Sequence, residues 1–183
     1  MVHYKLGTIS QEAKIYDFAK IINKNNFYLG YGSQIDDFVF INSGKSCIIK
    51  DFVHISSFCS IVGGGNFLID DFSGLSAGCR IITGSDDFNG PFLSNPTIPS
   101  KYKNVKIGNV KIGKHCILGS NSVILPNTEI PDGVTVGAGS IVNKQLDPWT
   151  IYVGFVPKKI GERDKEGIID LENKYKKELG LKF

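Results

Sequence analysis

Aliphatic side chains recur every six residues through most of this chain. In the C-terminal half the step of six is constant, and earlier every third step is eight, so that rows repeat every 18 or every 20 residues. A period of six is neither the period of 2 typical of a strand nor the 3.6 of a helix, and it favours a solenoid of short repeats. The fifteen positions of this first track, all Ile, Leu or Val, are Leu29, Ile35, Ile41, Ile49, Ile55, Ile61, Ile69, Leu75, Ile81, Ile112, Leu118, Ile124, Ile130, Val136 and Val142.

A second track lies four residues after each aliphatic position. Thirteen of its fifteen residues are small or β-branched, and only Lys45 and Leu146 depart from the pattern. Turn-forming pairs often follow the aliphatic residue, as in Ile35-Asp36-Asp37. Each hexad therefore predicts one short strand and one tight corner, and three hexads close a triangular coil. Stacking of coils by parallel pairing buries the inward aliphatic residues, so we expect an all-β fold.

Segments at both ends lie outside this repeat. Residues 11–23 place apolar side chains around a helical face, and Ser10 can cap such a helix. We therefore expect an N-terminal segment, residues 1–28, whose helix covers the open end of the stack. At the other end, residues 148–183 form an extension, in which a polar helix is expected over residues 166–180.

A long interruption divides the repeat itself. Between Ile81 and Ile112 the track is lost, and the segment contains several Pro and Gly residues. We expect a β-helix over residues 29–147 from which a loop, about 83–109, protrudes. Loops of this length in compact repeats are usually functional.

Composition and charge restrict the possible classes of protein. The chain has 183 residues, 42% hydrophobic, which is sufficient for one continuous core. A net charge of +3 without a basic stripe gives no reason to expect nucleic-acid binding. No apolar run is typical of a signal peptide or a membrane span, so a cytoplasmic protein is expected. The four cysteines form no CxxC pair, and Cys59, Cys79 and Cys116 occupy the small second track, where packed thiols are expected.

Two longer motifs resemble a known family. The stretch IGKHCILGSNSVILPNTEIPDGVTVGAGSIVNK, followed by GFVPKKIGER, is similar to the C-terminal half of hexapeptide-repeat sugar acetyltransferases. The segments DFVHISSFCSIVGGG and DDFSGLSAGCRIITGSDDFNG resemble the subgroup that acts in surface-polysaccharide and lipopolysaccharide biosynthesis. The resemblance implies a left-handed parallel β-helix, a homotrimer and acetyl-CoA as cosubstrate. It also implies transfer of the acetyl group to a hydroxyl or amine of a nucleotide- or lipid-linked sugar, without a metal.

Family enzymes use a histidine as general base, usually in or near the protruding loop. This loop has no histidine, and His54 becomes the candidate that takes a proton from the acceptor. His54 precedes the inward Ile55 and so points outward, where it can equally be a solvated surface residue. Asp86 and Asp87 open the loop and can orient His54 or bind sugar hydroxyls, or simply form an Asx turn. His115 falls at a corner and is expected to be structural.

The coenzyme A contacts are implied by the resemblance. Ser120 and Ala138 are 18 residues apart and match small positions beside which the pantetheine arm runs. Basic and amide side chains suit the adenosine and phosphates, although they can also be simply solvated. Trp149 can pack on the final coil or border this groove. The residues that match the adenosine and phosphate positions are Asn143, Lys144, Lys159 and Arg163.

Two other functions use the same fold. A metalloenzyme of the γ-carbonic anhydrase kind needs three histidines at each subunit interface, whereas only His54 and His115 lie within this repeat. A non-catalytic β-helical scaffold would not explain the protruding loop or the GAGSIVNK motif. The identity of the acceptor sugar, and the choice between oxygen and nitrogen as the acylated atom, stay open at this point.

Overall fold

The computed structural model describes residues 4–143 and 145–180, which form a parallel β-helix followed by one α-helix. Short strands, numbered in chain order, alternate with tight corners, and the strands of successive coils pair in parallel. Three sheets therefore make the three faces of a prism. The fold class predicted from the six-residue period is confirmed.

The first sheet contains β1 (Thr8–Ile9), β4 (Phe27–Leu29), β7 (Ser46–Ile49), β10 (Asn66–Ile69), β15 (Asn109–Ile112) and β18 (Thr128–Ile130). The second contains β2 (Lys14–Ile15), β5 (Gln34–Ile35), β8 (His54–Ile55), β11 (Gly74–Leu75), β16 (Ile117–Leu118), β19 (Thr135–Val136), β21 (Thr150–Val153) and β22 (Lys158–Glu162). The third contains β3 (Lys20–Ile22), β6 (Phe40–Asn42), β9 (Ser60–Val62), β12 (Arg80–Ile82), β17 (Val123–Ile124) and β20 (Ile141–Val142).

The first aliphatic track is the core. All fifteen of its side chains are at most 1% exposed, and equivalent residues stack in register, as Ile35, Ile55 and Leu75 do. Truncation of such a side chain to alanine typically costs about 2–5 kcal/mol. The corner cysteines are buried thiols, and the Cys116 Sγ–H donates to the Pro131 carbonyl at 3.1 Å. Burial raises the pKa of Cys116 to about 12. Because all three side chains are at most 1% exposed, the prediction of packed corner thiols is confirmed.

The β-helix begins earlier than the sequence predicted. Residues 11–23 contain no helix; β2 and β3 lie there instead, and the expected N-terminal capping helix is wrong. Ile9, Ile15 and Ile21 continue the aliphatic track, each twenty residues before its next member. In so short a segment the same apolar residues fit either a helical face or a series of hexads. The parallel pairing of Ile15 with Ile35 in the next coil favours strands.

The loop predicted at about residues 83–109 is anchored by an antiparallel hairpin. Its strands are β13 (Gly84–Asp86) and β14 (Val105–Ile107), which leave and rejoin the coil between the third and the first sheet. Beyond the loop the coil resumes at β15. At the C-terminal end, β21 extends the second sheet, and β22 pairs with it in an antiparallel sense.

The predicted C-terminal helix is confirmed as α1 (Lys165–Glu178), capped by the Asp164 carboxylate, which accepts the Gly167 N–H at 2.9 Å. It packs on the corner between the first and second sheets. There the rings of Phe52 and Phe72 stack at 4.8 Å, and Tyr175 of the helix meets both edge-on.

A hydrogen-bonded carboxylate fixes α1 on this corner. His115 Nε2 lies 2.7 Å from a carboxylate oxygen of Glu172, and both side chains are nearly buried. Burial would raise the pKa of Glu172, but hydrogen bonds from Lys176 and His115 outweigh it and hold the pKa below its usual range. The charged carboxylate therefore stabilises the docked helix, and its contribution is lost as the pH falls through this lowered pKa.

Glu172→Gln is expected to destabilise the fold by about 1–3 kcal/mol at neutral pH, because buried donors lose a charged acceptor. The difference from wild type should shrink in acid, where the wild-type carboxylate is also protonated. The control is Glu129→Gln, which breaks an exposed pair with Lys111 and should cost about 0–1 kcal/mol. Thermal unfolding of the three proteins across pH 4–8 checks this, and equal losses in both variants would contradict it.

Candidate active site

Asp87 connects the two ends of the protruding loop through its side-chain contacts. Its carboxylate accepts the Asn89 backbone N–H at 3.1 Å and the Asn104 side-chain amide at 2.7 Å, and Lys106 Nζ lies 3.3 Å away. The Asn89 N–H is the largest of the influences that lower the pKa of Asp87. Because all these partners belong to the loop, the Asp87 carboxylate stabilises the loop conformation.

Asp86 lies at the end of β13, beside open space. One of its carboxylate oxygens accepts the Asn95 N–H at 2.9 Å. The residue lines a cavity of about 440 Å³, together with Gly63, Gly84 and Lys103. Glycine is required here, because a Cβ added to Gly84 would lie 2.3 Å from the Gly63 carbonyl oxygen. The hairpin therefore packs directly on the coil and holds Asp86 at the edge of a cavity of ligand size.

His54 is paired with a carboxylate that the sequence analysis missed. Its Nε2 lies 3.0 Å from an oxygen of Asp36, whose other oxygen accepts the Gln34 side-chain amide at 2.8 Å. Burial would raise the pKa of Asp36, but the hydrogen bonds from Gln34 and His54 lower it. Within the subunit, His54 therefore pairs with Asp36 and not, as the sequence analysis expected, with Asp86 or Asp87. The signal was available, because Gln34 precedes His54 by one 20-residue repeat and Asp36 follows two positions later.

The His54 imidazole is half exposed on the second sheet. It borders a shallow cavity of about 610 Å³ between that sheet and α1, walled by Phe52, Phe72 and Tyr175. This face is adjacent to the helix and not to the hairpin that carries the loop carboxylates.

Ser120 and Ala138 lie in successive coils at the corner between the second and third sheets. The Gly139 N–H donates to the Ser120 carbonyl at 2.8 Å, which locks the two corners together. Ala138 is exposed, and a Cβ added to Gly139 would meet no atom within 4 Å. The corner is therefore an open edge lined by small residues, as a path for an extended thiol-bearing arm requires.

The residues expected near the adenosine and phosphates are dispersed around the last coil. Asn143 is exposed and lines a cavity of about 520 Å³ beside Gln145 and Pro148. Lys159 Nζ lies 2.9 Å from an oxygen of Glu162 at the surface. Lys144 lies outside the described residues.

Arg163 has a structural role that its sequence position did not reveal. Its guanidinium donates to the carbonyls of His115 and Gly133, the latter at 3.0 Å, and burial lowers its pKa. Trp149 packs at the same place, 5.8 Å from the His115 ring, so it belongs to the final coil. Arg163 would have to leave these carbonyls in order to bind a phosphate.

Neither metal-binding clusters nor membrane spans are found in the described ranges. Among residues 4–143 and 145–180, no group of three or more His, Cys, Asp or Glu side chains could hold a metal ion. In the same part of the chain, no helix is long and apolar enough to cross a bilayer.

Comparison with known sequences gives consistent matches. The family described as bacterial transferase hexapeptide (six repeats) matches residues 109–144. The dTDP-4-amino-4,6-dideoxy-D-glucose acyltransferase of Escherichia coli is 35% identical over 92% of this chain and 88% of its own length. The putative lipopolysaccharide biosynthesis O-acetyl transferase WbbJ of Escherichia coli K12 is 34% identical over 74% of this chain and 67% of its own length.

Comparison with solved structures extends the match to the whole fold. AntD, an N-acyltransferase from Bacillus cereus crystallised with dTDP and coenzyme A, superposes with a TM-score of 0.86 at 38% identity, covering 93% of this chain and 91% of its own. The crystals of that protein include variants of one aspartate and of one serine ten residues before it. One of them also contains dTDP-4-amino-4,6-dideoxyglucose. This chain therefore belongs to the hexapeptide-repeat family of sugar acyltransferases and is an acyl-transferring enzyme.

Proposed function

We propose that the protein transfers an acetyl group from acetyl-CoA to the amino group of a dTDP-linked 4-amino-4,6-dideoxy sugar. The similarity to two acyltransferases of this kind over about nine-tenths of the chain carries the proposal. It includes the protruding loop as well as the repeats. The O-acetyl transferase relative is matched over a smaller share of its length, and this favours nitrogen as the acylated atom. Acetyl-CoA as donor and four buried free thiols support a cytoplasmic enzyme.

A serine–aspartate pair with the spacing of the substituted pair in AntD supports the position of the site. Ser76 and Asp86 are ten residues apart, and Asp86 borders the cavity beneath the loop. Two other pairs share this spacing, but Asp70 is bound to Lys50, and Asp132 accepts the Lys114 N–H at a corner. Asp86 is therefore the carboxylate best placed to meet an acceptor.

Ser76 and Asp86 begin and end one face of the prism. Ser76 follows β11 of the second sheet, Asp86 ends β13, and β12 of the third sheet lies between them. A strand of three residues spans roughly 10 Å, so within one subunit the side chains of Ser76 and Asp86 lie far apart, at opposite ends of this face. If both meet one substrate, the serine corner of one subunit must adjoin the loop of another.

A homotrimer with the third sheet toward its axis satisfies this requirement. The outward residues of that sheet include the half-buried Ile22, Val62, Ile82 and Leu125, a row suited to an interface. The corner opposite this sheet is already covered by α1 within the subunit. Each cleft of such a trimer would combine the small-residue corner of one protomer with the loop of the next.

We expect light scattering to give the mass of a trimer at micromolar concentration. Ile82→Glu should dissociate it, because the variant places a charge in the proposed interface. Leu68→Glu, on the first sheet, is the matched control and should remain trimeric. A monomeric wild type, or a trimeric Ile82→Glu, would contradict a site shared across the third sheet.

The proposed chemistry is direct transfer without a covalent enzyme intermediate. The pantetheine arm lies along Ser120 and Ala138, and the thioester reaches the level of the loop. Asp86 binds the ammonium group and takes its proton, and the neutral amine then attacks the thioester carbonyl. The new C–N bond forms and the C–S bond breaks, and coenzyme A leaves as a thiolate that receives the second proton lost by the nitrogen. Asp86 then releases the first proton to solvent. The Ser76 hydroxyl of the adjoining subunit donates to the acceptor and fixes its orientation.

Ligand-dependent thermal stability tests the proposal. A ligand that binds only the folded protein raises its melting temperature, by an amount that grows with ligand concentration. Acetyl-CoA and dTDP should each raise it, and UDP, which differs in its base, is the control for dTDP. No shift with either ligand at millimolar concentration would contradict the proposed donor and acceptor.

A further inference from the structure

Two opposite charges face the cavity beneath the protruding loop. Among the described residues that line this cavity of about 440 Å³, only Asp86 and Lys103 have charged side chains. These two side chains, both in the described part of the chain, form no ion pair with each other, and each is hydrogen-bonded instead to the backbone of Asn95. A cavity that presents one carboxylate and one ammonium, held apart, suits a ligand that carries both a cation and an anion.

Asn95 is a spacer between the two charges. Its N–H donates to an Asp86 carboxylate oxygen at 2.9 Å, and its carbonyl accepts from Lys103 Nζ at 3.0 Å. Bond lengths place the nitrogen and the oxygen of one residue only about 3–4 Å apart. The Asp86 oxygen and the Lys103 nitrogen therefore lie within about 10 Å of each other.

The conformation of this spacer is fixed by its own side chain. Asn95 has a φ of 81°, in a region that asparagine adopts more readily than most residues other than glycine. Its Oδ1 accepts the Thr97 N–H at 2.9 Å and the Thr97 hydroxyl at 2.6 Å. Pro96, which lines the cavity, restricts the backbone between them. One rigid turn thus sets the distance between Asp86 and Lys103, and this reduces the cost of ordering the loop around a ligand.

An amino sugar attached to a nucleotide carries its charges at a matching distance. In a 4-amino-4,6-dideoxy sugar the ammonium at C4 and the phosphate at C1 occupy opposite ring atoms, and ordinary bond lengths place them about 5–8 Å apart. We propose that Lys103 binds the phosphate on C1 of the acceptor, at the distance from Asp86 that Asn95 sets. This inference rests on the proposed function, because it takes Asp86 to bind the amine. The Asn95 carbonyl uses one Lys103 N–H, and two remain for phosphate oxygens.

Lys103→Met removes the ammonium and keeps the length of the side chain. It should raise KM for dTDP-4-amino-4,6-dideoxyglucose and weaken the binding of dTDP by roughly 10–100-fold, the scale expected when a hydrogen bond to a charged group is lost. The value of kcat should change little, because the phosphate takes no part in acyl transfer. Lys103→Arg keeps a cation that binds phosphate and should retain most of the affinity. Steady-state kinetics with the amino sugar and calorimetry with dTDP measure these effects.

Asn95→Gly tests the spacing. Glycine permits the same φ but removes the hydrogen bonds to Thr97, so the distance between Asp86 and Lys103 is no longer fixed. The variant should bind dTDP-4-amino-4,6-dideoxyglucose roughly 3–10-fold more weakly, the usual scale for ordering a loop on binding. Since dTDP has no amine and does not span both charges, its affinity should be nearly unchanged. Equal losses for the two ligands, or no loss for either, would contradict the role of Asn95.

Lys101→Met is the matched control, because it removes the same charge from the same loop. The Lys101 ammonium lies over the Tyr102 ring, 4.8 Å from its centroid, and the residue does not line the cavity. This variant should bind dTDP as tightly as wild type. A wild-type protein that does not bind dTDP refutes the proposed function itself. A wild type that binds dTDP, with the same affinity in Lys103→Met as in Lys101→Met, overturns the role of Lys103 alone.

Discussion

Asp86→Asn is expected to lower kcat/KM for the amino sugar by roughly 10²–10⁴, with little change in the affinity for acetyl-CoA. Asparagine keeps the size of the side chain and can still accept the Asn95 N–H that holds it. It cannot take a proton from the acceptor, and it does not attract an ammonium group. Steady-state kinetics with dTDP-4-amino-4,6-dideoxyglucose, together with calorimetry for acetyl-CoA, separate these two effects.

His54→Ala is the decisive comparison for this assignment. The sequence predicts His54 as the base, and the Asp36 carboxylate beside it is the arrangement that orients a catalytic imidazole. If His54→Ala loses activity on the same scale and Asp86→Asn does not, then the base is the histidine. If Asp86 is the group that handles the proton, His54→Ala should remain within about 10-fold of wild type, since general-base losses begin near 10². The double variant should then resemble Asp86→Asn.

Ala138→Trp is expected to abolish acetyl-CoA binding, a loss of at least roughly 100-fold in affinity, while the protein remains folded. Ala138 is exposed on an open corner, and the adjoining Gly139 has no neighbour that an added carbon would touch. An indole can therefore be placed there without disturbing the core, and it would occupy the path of the pantetheine arm. Binding that relies on close approach to the backbone cannot accommodate such a group.

The control for this variant is Glu12→Trp, which adds the same ring at an exposed corner of the first coil. Both proteins should melt near the wild-type temperature without ligand. Only Ala138→Trp should lose the increase that acetyl-CoA causes. An unchanged acetyl-CoA affinity in a folded Ala138→Trp protein would mean that the cofactor binds elsewhere.

The sequence predicted the core because a six-residue spacing of aliphatic side chains, sustained over fifteen positions, fits neither one long helix nor an ordinary strand. Every aliphatic residue of the first track is buried, including those on both sides of the long interruption. The first coil was missed for a related reason. Ile15 and Ile21 fit a helical face over 11–23 as well as a hexad, and only pairing with the next coil distinguishes the two.

The site was less accessible to sequence reasoning, because its residues are joined by the stacking of coils. Asp36 and His54 are 18 residues apart, and their contact follows from the repeat once the register is known. Arg163 has the charge of a phosphate ligand, yet only the fold shows that it is bound to two corner carbonyls. A cleft between subunits, such as the one proposed for Ser76 and Asp86, leaves no pattern in one chain.

The central claim is that this enzyme acylates the amine of a nucleotide-linked amino sugar. The most direct measurement is mass spectrometry of a reaction containing the protein, acetyl-CoA and dTDP-4-amino-4,6-dideoxyglucose, with release of free thiol followed in parallel. The account predicts a product in which one acetyl group replaces one amine hydrogen, formed in step with the thiol, and no product from the corresponding 4-hydroxy sugar nucleotide. Acylation of the hydroxy sugar at an equal rate, or an unchanged amino sugar after prolonged incubation with active trimer, would contradict it.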